Sequence, residues 1–535
     1  TMTNVKLVAD VSATVTFQPA ENGSYTVDGK AITEVYASTQ SSVTAYQLAA
    51  TPAEGYRFMG WYDVASGKCI STDAKTALNF DSDRTITARF ASKTAALFET
   101  GGQPFDDLNE AVAYAQKTKQ TKITLVSDGS ISGSYTIPAG ITLLIPFDEA
   151  GTLYTDAPAA IRETPASKPF RTLTMSDGAS ITVNGAISLG GRYFAAGGGQ
   201  QGRPVGDYGY IKMADNSSIT VKNGGNLYAW GFISGSGSVL AESGATVYEF
   251  YQITDFRGGD ATTSMQNKVF PISQYAVQNV EVPLTLHAGA SETAYTGLYA
   301  GRRTITSAIP FVGSNGLFNL TSGSLTKAYD GSTDRVIYTI DGMAEVNKLV
   351  LKVLGMQIDS GSYVLPLTNN MTINLTTGSK LTINQTAALL PGVQATIAQG
   401  AELVVSSGKS IYIYDRDEWG GYCGSDSAEF IPVVYAPGRT GKRAPLADVQ
   451  VDVNGTLTAI GGIYTTAGGA DICSSAGTGI YNQQGTPGAE TKTYQYDQRN
   501  KKYDEIPITP AKLHNADGSY TETANASVGT TIPYL

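Results

Sequence analysis

Apolar and polar positions alternate in short runs from about residue 13 to 92, broken by glycine: Val15-Thr16-Phe17, Tyr25-Thr26-Val27, Tyr56-Arg57-Phe58 and Thr85-Ile86-Thr87-Ala88. A period of two sends successive side chains to opposite faces of a strand, and turn signals roughly every 8–12 residues mark a small antiparallel β-domain. Between residues 104 and 120 the period changes. Leu108, Ala111, Val112 and Ala115 fall at i, i+3, i+4 and i+7, which predicts an amphipathic helix. Asp106 or Asp107 is placed to cap its start, and Lys117 and Lys119 suit the negative end of its dipole. A strand at Lys122-Ile123-Thr124-Leu125-Val126 follows at once.

Beyond the helix the apolar runs shorten. Val221, Leu227, Ile233 and Val239 are each six residues apart (227 − 221, 233 − 227, 239 − 233), with Gly-rich turns between them, and Val247 follows. Leu381-Thr382-Ile383, Ala395-Thr396-Ile397, Leu403-Val404-Val405 and Ile411-Tyr412-Ile413 repeat the texture in the second half. Strands of three or four residues are shorter than the 5–6 or so of ordinary sheets; they fit a solenoid in which each coil covers the last and an aliphatic residue points inward on every face. Thr174-Met175-Ser176-Asp177-Gly178-Ala179 aligns with Thr396-Ile397-Ala398-Gln399-Gly400-Ala401, and Leu227 to Ile233 aligns with Leu457 to Ile463. Tyr135-Thr136-Ile137-Pro138 likewise aligns with Tyr363-Val364-Leu365-Pro366, and the three offsets, 228, 222 and 230, suggest a duplicated β-helical unit of about 130 residues. Asp330-Gly331 and Asp341-Gly342 between the halves read as hairpin turns.

Composition narrows the function. The 535 residues hold 37 basic and 47 acidic side chains, a net charge of −10, and only two histidines, His287 and His514, far apart in sequence. A nucleic-acid binder needs clustered positive charge, so nucleic acid is excluded as a partner, and histidine-built metal or triad chemistry is disfavoured. Only 16% of residues are charged while 59 are glycine, as tight turns between short strands require. Cys69, Cys423 and Cys473 are too few for a disulfide framework and read as small buried hydrophobes, although Cys423 and Cys473 could pair. There is no stretch of about 18 apolar residues, so no membrane insertion is expected, and the chain reads as a fragment of a longer exported protein.

The order Gly23-Ser24-Tyr25-Thr26-Val27-Asp28-Gly29, then Ala50-Thr51-Pro52-Ala53-Glu54-Gly55-Tyr56-Arg57-Phe58-Met59-Gly60-Trp61-Tyr62-Asp63, then Asp83 to Phe90 resembles the divergent B-type repeat of internalin-like bacterial surface proteins over residues 13 to 92. The resemblance implies a small β-grasp-like spacer without catalysis, in which Trp61 serves the core or, as a rival reading, stacks on a sugar. The helix followed by a first strand, with Gly129, Gly133, Tyr135 and Ile137 beyond, resembles the amino-terminal cap of pectin-lyase-like β-helix proteins. The expected fold is all-β: the small repeat domain, then a right-handed parallel β-helix with a short capping helix. The expected divisions are 1–12 leader, 13–92 B-type repeat, 93–255 helix cap and first β-helical unit, 256–345 irregular β insertion or linker, 346–475 second unit and 476–535 Tyr-rich carboxyl segment.

Because β-helices of that kind include polysaccharide lyases and glycoside hydrolases, carboxylate clusters need inspection. Asp415, Asp417 and Glu418 follow the strand that ends near Tyr414, with Trp419 and Tyr422 beyond. Three readings stand: a plain solvated loop, a glycan or Ca²⁺ contact through Asp415 and Asp417, or an acid/base set. The loop at Gly190-Gly191-Arg192-Tyr193 in the first half has no carboxylate. Ligand contacts are therefore assigned to Tyr412, Tyr414, Trp419, Tyr422, Arg192 and Tyr193, with no catalytic residue, no resident metal and no cofactor beyond an optional Ca²⁺. The expectation is a monomeric, extracellular or cell-wall-attached bacterial protein that binds a glycan or a host or bacterial surface protein without catalysis. A β-helical carbohydrate-active enzyme and a structural spacer of a giant surface protein are the alternatives.

Overall fold

The computed structural model describes residues 11–66, 69–71, 73–92, 96–147, 151, 169–190, 208–250, 279–300, 303–312, 317–330, 332–333, 335–347, 350–353, 356–359, 365–367, 371–389, 392–414, 449–466, 471–483, 492–497, 502–511, 513–514, 520–521 and 532–533. Strands make up 59% of the structure and helix 3%. The chain divides into two compact units, residues 1–129 with 141–143 and residues 130–140 with 144–535.

The first unit begins with two sheets. One has the order Tyr36–Ser41, Ser12–Phe17, Arg84–Ser92, Tyr56–Asp63, Cys69–Ser71; the other runs Lys30–Ala31, Gly23–Val27, Tyr46–Pro52, Lys75–Leu78. Alternation decides what is buried: in Ser12–Phe17 the side chains of Ala13, Val15 and Phe17 are inside and those between them are not. Trp61 is 0% exposed, set edge-on to Tyr25 at 5.2 Å, and its Nε1 donates to the Asp73 carbonyl at 2.9 Å. That burial settles Trp61 as core and removes it as a sugar platform. Ser12–Phe17 and Arg84–Ser92 pair in parallel, as in a grasp topology. No helix lies between residues 11 and 92 among those described; the two sheets meet around an aromatic core. Asp63 accepts from Ser66 N at 2.9 Å, Ser66 Oγ at 3.0 Å and Arg84 Nη1 at 3.4 Å. The Ser66 backbone bond, helped by the Ser66 hydroxyl and Arg84, holds its carboxyl below the ordinary aspartate value despite burial.

The expected helix forms at Leu108–Thr118. Asp107 caps it by accepting from Glu110 N, Lys119 ends it in the left-handed conformation, and Leu108, Ala111, Val112 and Ala115 are its buried face. It packs on Phe98–Thr100, Gln103–Phe105 and Lys122–Leu125. Lys117 meets Asp73 at 2.7 Å, and Arg57 lies over the Phe105 ring at 4.5 Å, so helix segment and two-sheet domain are tied within the unit.

The second unit is built from parallel ladders visited in rotation. A first ladder contains Pro169–Met175, Tyr208–Met213 and Phe232–Gly235. A second contains Ser134–Ile137, Ser180–Val183, Ser218–Val221, Ser238–Ala241 and Leu284–His287. A third contains Ala186–Leu189, Asn226–Ala229, Thr246–Phe250 and Ser291–Ala300. One circuit takes 20 residues at its shortest, from Ser218 to its register partner Ser238. Registers align inward residues in columns, such as Ile181, Ile219, Val239 and Leu284, all nearly inaccessible. The regularly spaced Val221, Leu227, Ile233, Val239 and Val247 are all buried, as expected.

The stack changes hands at a hairpin. Leu284–His287 pairs antiparallel with Asn319–Asp330, which pairs antiparallel with Arg335–Val346. The first half of Arg335–Val346 then carries Met371–Leu375 in parallel, and its second half carries Lys380–Ile383. Asp330 sits at the hairpin turn as expected, accepting from Ser332 N. Asp341-Gly342 does not form a turn. Gly342, at φ +145°, lies mid-strand opposite Gly323, and a Cβ there would meet the Ser322 carbonyl at 2.2 Å, so the pair marks a bend where two backbones touch. The second set of ladders repeats the rotation: Met371–Leu375, Gln394–Ile397, Gln450–Val453; Lys380–Ile383, Glu402–Val405, Thr456–Ala459, Ile480–Gln483; and Leu365–Leu367, Ala387–Leu389, Ile411–Ile413, Ile463–Thr466. Its interior is aliphatic, lined by Leu375, Leu381, Ile383, Ile397, Leu403 and Ile413. The Tyr-rich end forms the hairpin of Lys492–Asp497 with Lys502–Pro510, and the latter strand ends the third ladder by pairing antiparallel with Ile463–Thr466.

Corners explain the glycine content. A Cβ at Gly231 would stand 1.9 Å from the Gly209 carbonyl oxygen, and one at Gly209 would stand 2.1 Å from that of Ile145, so stacked corners touch backbone to backbone. The turns Ser176 to Ala179 and Ala398 to Ala401 are alike, each closed by a bond between its terminal residues and each holding a glycine at positive φ. That sequence match is therefore a match of structure. The match of Leu227 to Ile233 with Leu457 to Ile463 pairs a corner between third and first ladders at Gly231 with one between second and third at Gly461, so similar corners recur at unequal places in the circuit.

Leu227→Ala is expected to lower stability by about 2–5 kcal/mol, and Thr220→Ala, one ladder away on the outward face, by no more than about 0.5 kcal/mol, in chemical denaturation followed by circular dichroism. Asp63 stabilises the folded state above the ordinary aspartate pKa, and that contribution disappears as pH falls through its depressed folded-state value. The melting-temperature gap between the native protein and Asp63→Asn should thus be widest near neutrality and close on acidification.

Candidate binding face and buried charge cluster

Outward columns differ from ladder to ladder. On the second ladder the column is Thr136, Thr182, Thr220, Leu240 and Thr285. On the third it is Ser188, Tyr228 and Tyr248. The Tyr228 and Tyr248 rings stack at 4.9 Å with planes 4° apart, because register places identical residues one coil apart, and both are half-buried. In the second set the third ladder again puts aromatics outward, in the column Ala388, Tyr412, Tyr464. Tyr412 is half-buried with its ring 6.1 Å from Tyr464, which is buried. Ser188, Ala388 and Tyr464 in these columns are buried, so the partly exposed rings are those of Tyr228, Tyr248 and Tyr412, each an apolar face with a polar hydroxyl tip.

Of the residues assigned to ligand contact from sequence, Tyr412 lies in this column. Tyr414 is 1% exposed, so its ring is within the protein and offers no face to a ligand. Arg192, Tyr193, Asp415, Asp417, Glu418, Trp419 and Tyr422 lie outside the described residues. Their places in the chain are nevertheless equivalent. Residues 191–207 and 415–448 each connect a third-ladder strand to the next first-ladder strand, and 251–278 lead from the third ladder to Val280, which bridges in parallel to Ile233 of the first. Among the described residues no group of three or more His, Cys, Asp or Glu is placed to hold a metal ion, and no helix is long and apolar enough to cross a membrane.

A second cluster is buried where the third and second ladders meet. Glu292 completes the inward column Ile187, Leu227, Val247; Glu249 completes Leu189, Ala229; and Lys327 lies opposite Leu284 at the end of the second-ladder column. The Lys327 Nζ contacts Glu249 Oε2 and Glu292 Oε1, and all three side chains are at most 1% exposed. Glu249 Oε1 also accepts from Val280 N at 2.9 Å. Burial pushes the Glu292 carboxyl well above the ordinary glutamate value, with Lys327 opposing and Glu249 adding to the rise. Burial acts to lower the Lys327 ammonium, but the two carboxylates outweigh it and hold that group above the usual lysine value. One lysine balances one negative charge, and burial favours the protonated form of Glu292. The signal was present in sequence: Glu249 follows Val247, and Lys327 follows Leu325, by two residues, which is the inward phase of a strand.

Residues 4–94 match the family model for the divergent InlB B-repeat domain, a domain typical of bacterial surface proteins. No curated protein and no solved structure matches the chain.

Lys327→Met, which leaves two buried carboxyls without their cation, is expected to cost about 3–5 kcal/mol. Removing the exposed Lys380, 2.8 Å from Glu402, should cost about 0–1 kcal/mol in the same denaturation measurement.

Proposed function

We propose that this chain is part of an exported bacterial surface protein, extracellular or attached to the cell wall, whose second unit is a parallel β-helix that presents a binding face to a glycan or to a host or bacterial surface protein. The B-repeat match at residues 4–94 supports the surface location. The rotation of the chain through three parallel ladders supports the β-helix. The single observation that carries binding is the Tyr228–Tyr248 stack on the outward face of the third ladder. Flat, rigid aromatic rings with hydroxyl tips are suited to the apolar faces of sugar rings and to protein surfaces, since they lose little side-chain entropy on binding. The same ladder carries Tyr412.

In this reading the protein binds without turning over a substrate. Screening the intact chain on a glycan array and a panel of host and bacterial surface proteins is expected to yield a ligand whose binding falls at least tenfold in Tyr228→Ala/Tyr248→Ala, with melting temperature little changed. Incubation with diverse polysaccharides is expected to release neither unsaturated nor reducing sugars. Sugar release would replace binding with carbohydrate-active catalysis, and silence on every panel would leave a spacer.

A further inference from the structure

The interior of a ladder stack is an unfavourable place for three ionisable groups, since removing each from water costs several kcal/mol unless the others compensate it. Glu249, Glu292 and Lys327 nevertheless converge where the parallel stack meets the antiparallel hairpin. Their arrangement is asymmetric. Glu249 has both oxygens engaged, one by Val280 N and one by Lys327 Nζ. Glu292 contacts Lys327 through Oε1 only, and its Oε2 is buried with no hydrogen-bond partner among the described residues. An amine, a carboxyl with one oxygen not engaged by that amine and a second carboxyl within hydrogen-bond reach of both are the parts of an acyl-transfer centre whose nucleophile and electrophile belong to one chain.

We propose that Lys327 and Glu292 join through an intramolecular amide between Nζ and Cδ, with Glu249 as the proton-transferring group. Glu249 takes one proton from the Lys327 ammonium, leaving a neutral amine and a neutral acid. The amine lone pair attacks Cδ of the protonated Glu292 carboxyl, and the C=O pair moves onto oxygen. A second nitrogen-bound proton passes, by way of Glu249, to the departing hydroxyl, and water leaves. The product is one amide N–H, one water and a protonated Glu249; no oxidant or reductant is needed, and no net charge remains buried. Dry surroundings favour this direction, because two opposite charges vanish and the water that could hydrolyse the amide is excluded. The bond would tie residues 35 apart in sequence, linking the last third-ladder strand to the antiparallel strand that covers the second ladder.

Intact-mass measurement on the purified full chain, held at neutral pH for a day, tests this directly. The expected mass is below that of the sequence by one water, and a denaturing tryptic digest should yield a branched peptide with cleavage blocked at Lys327 and fragment ions placing the branch at Glu292. Lys327→Met and Glu249→Gln should show the full mass of their sequences, with circular dichroism confirming that they fold. Glu292→Gln should instead lose one ammonia. Full mass in the native protein with free cleavage at Lys327 would overturn the proposal, as would a water loss that maps to any other pair of residues.

Discussion

Everything in the second unit depends on the parallel register between successive coils. A strand of four residues has few hydrogen bonds and little apolar surface of its own; it is held only because the coils on either side satisfy its edges and extend its inward column. Register is therefore shared: Ser180, Ser218 and Ser238 align because the Ile181–Ile219–Val239 column and its Val183–Val221–Ala241 neighbour both require it. A slip of one residue in any coil would turn every inward side chain outward. Stability of this kind is distributed along the stack and has no single centre, in contrast to residues 11–92, where Trp61, Tyr25, Phe17 and Tyr46 form one aromatic core.

Much of the architecture was legible because period and glycine carry separate messages. Period two placed the strands, the i, i+3, i+4, i+7 run placed Leu108–Thr118 within a few residues, and closely spaced glycines announced corners. What could not be read was which glycine serves a turn and which serves a contact. Gly331 and Gly342 follow aspartate in the same way, yet Gly342 is a mid-strand bend set by its opposite neighbour Gly323, information that resides in a strand about twenty residues away. The outward aromatic column was only partly legible for the same reason. Tyr412 stands out within its own segment, whereas Tyr228 and Tyr248 acquire meaning only as register partners.

The charged cluster shows the converse. Three residues on the inward phase break an otherwise aliphatic rule, and each alone reads as an ordinary polar residue near a strand end. Only the antiparallel return of Asn319–Asp330 brings Lys327 opposite Leu284, where its ammonium reaches carboxyls from two third-ladder strands. The exception falls where the stack changes from parallel to antiparallel pairing, the rung at which the repeating columns have no further parallel coil to continue them.

Residues 191–207, 251–278 and 415–448 all fall between a third-ladder strand and the next arrival at the first. The other two corners are short and crowded. The circuit thus confines variation in length to one of three vertices, where the chain can gain or lose residues without altering the phase of any column. For protein engineering this makes the vertex a set of insertion ports spaced by the coil repeat, and for evolution it separates the part of the sequence that keeps count from the part that is free to change its message.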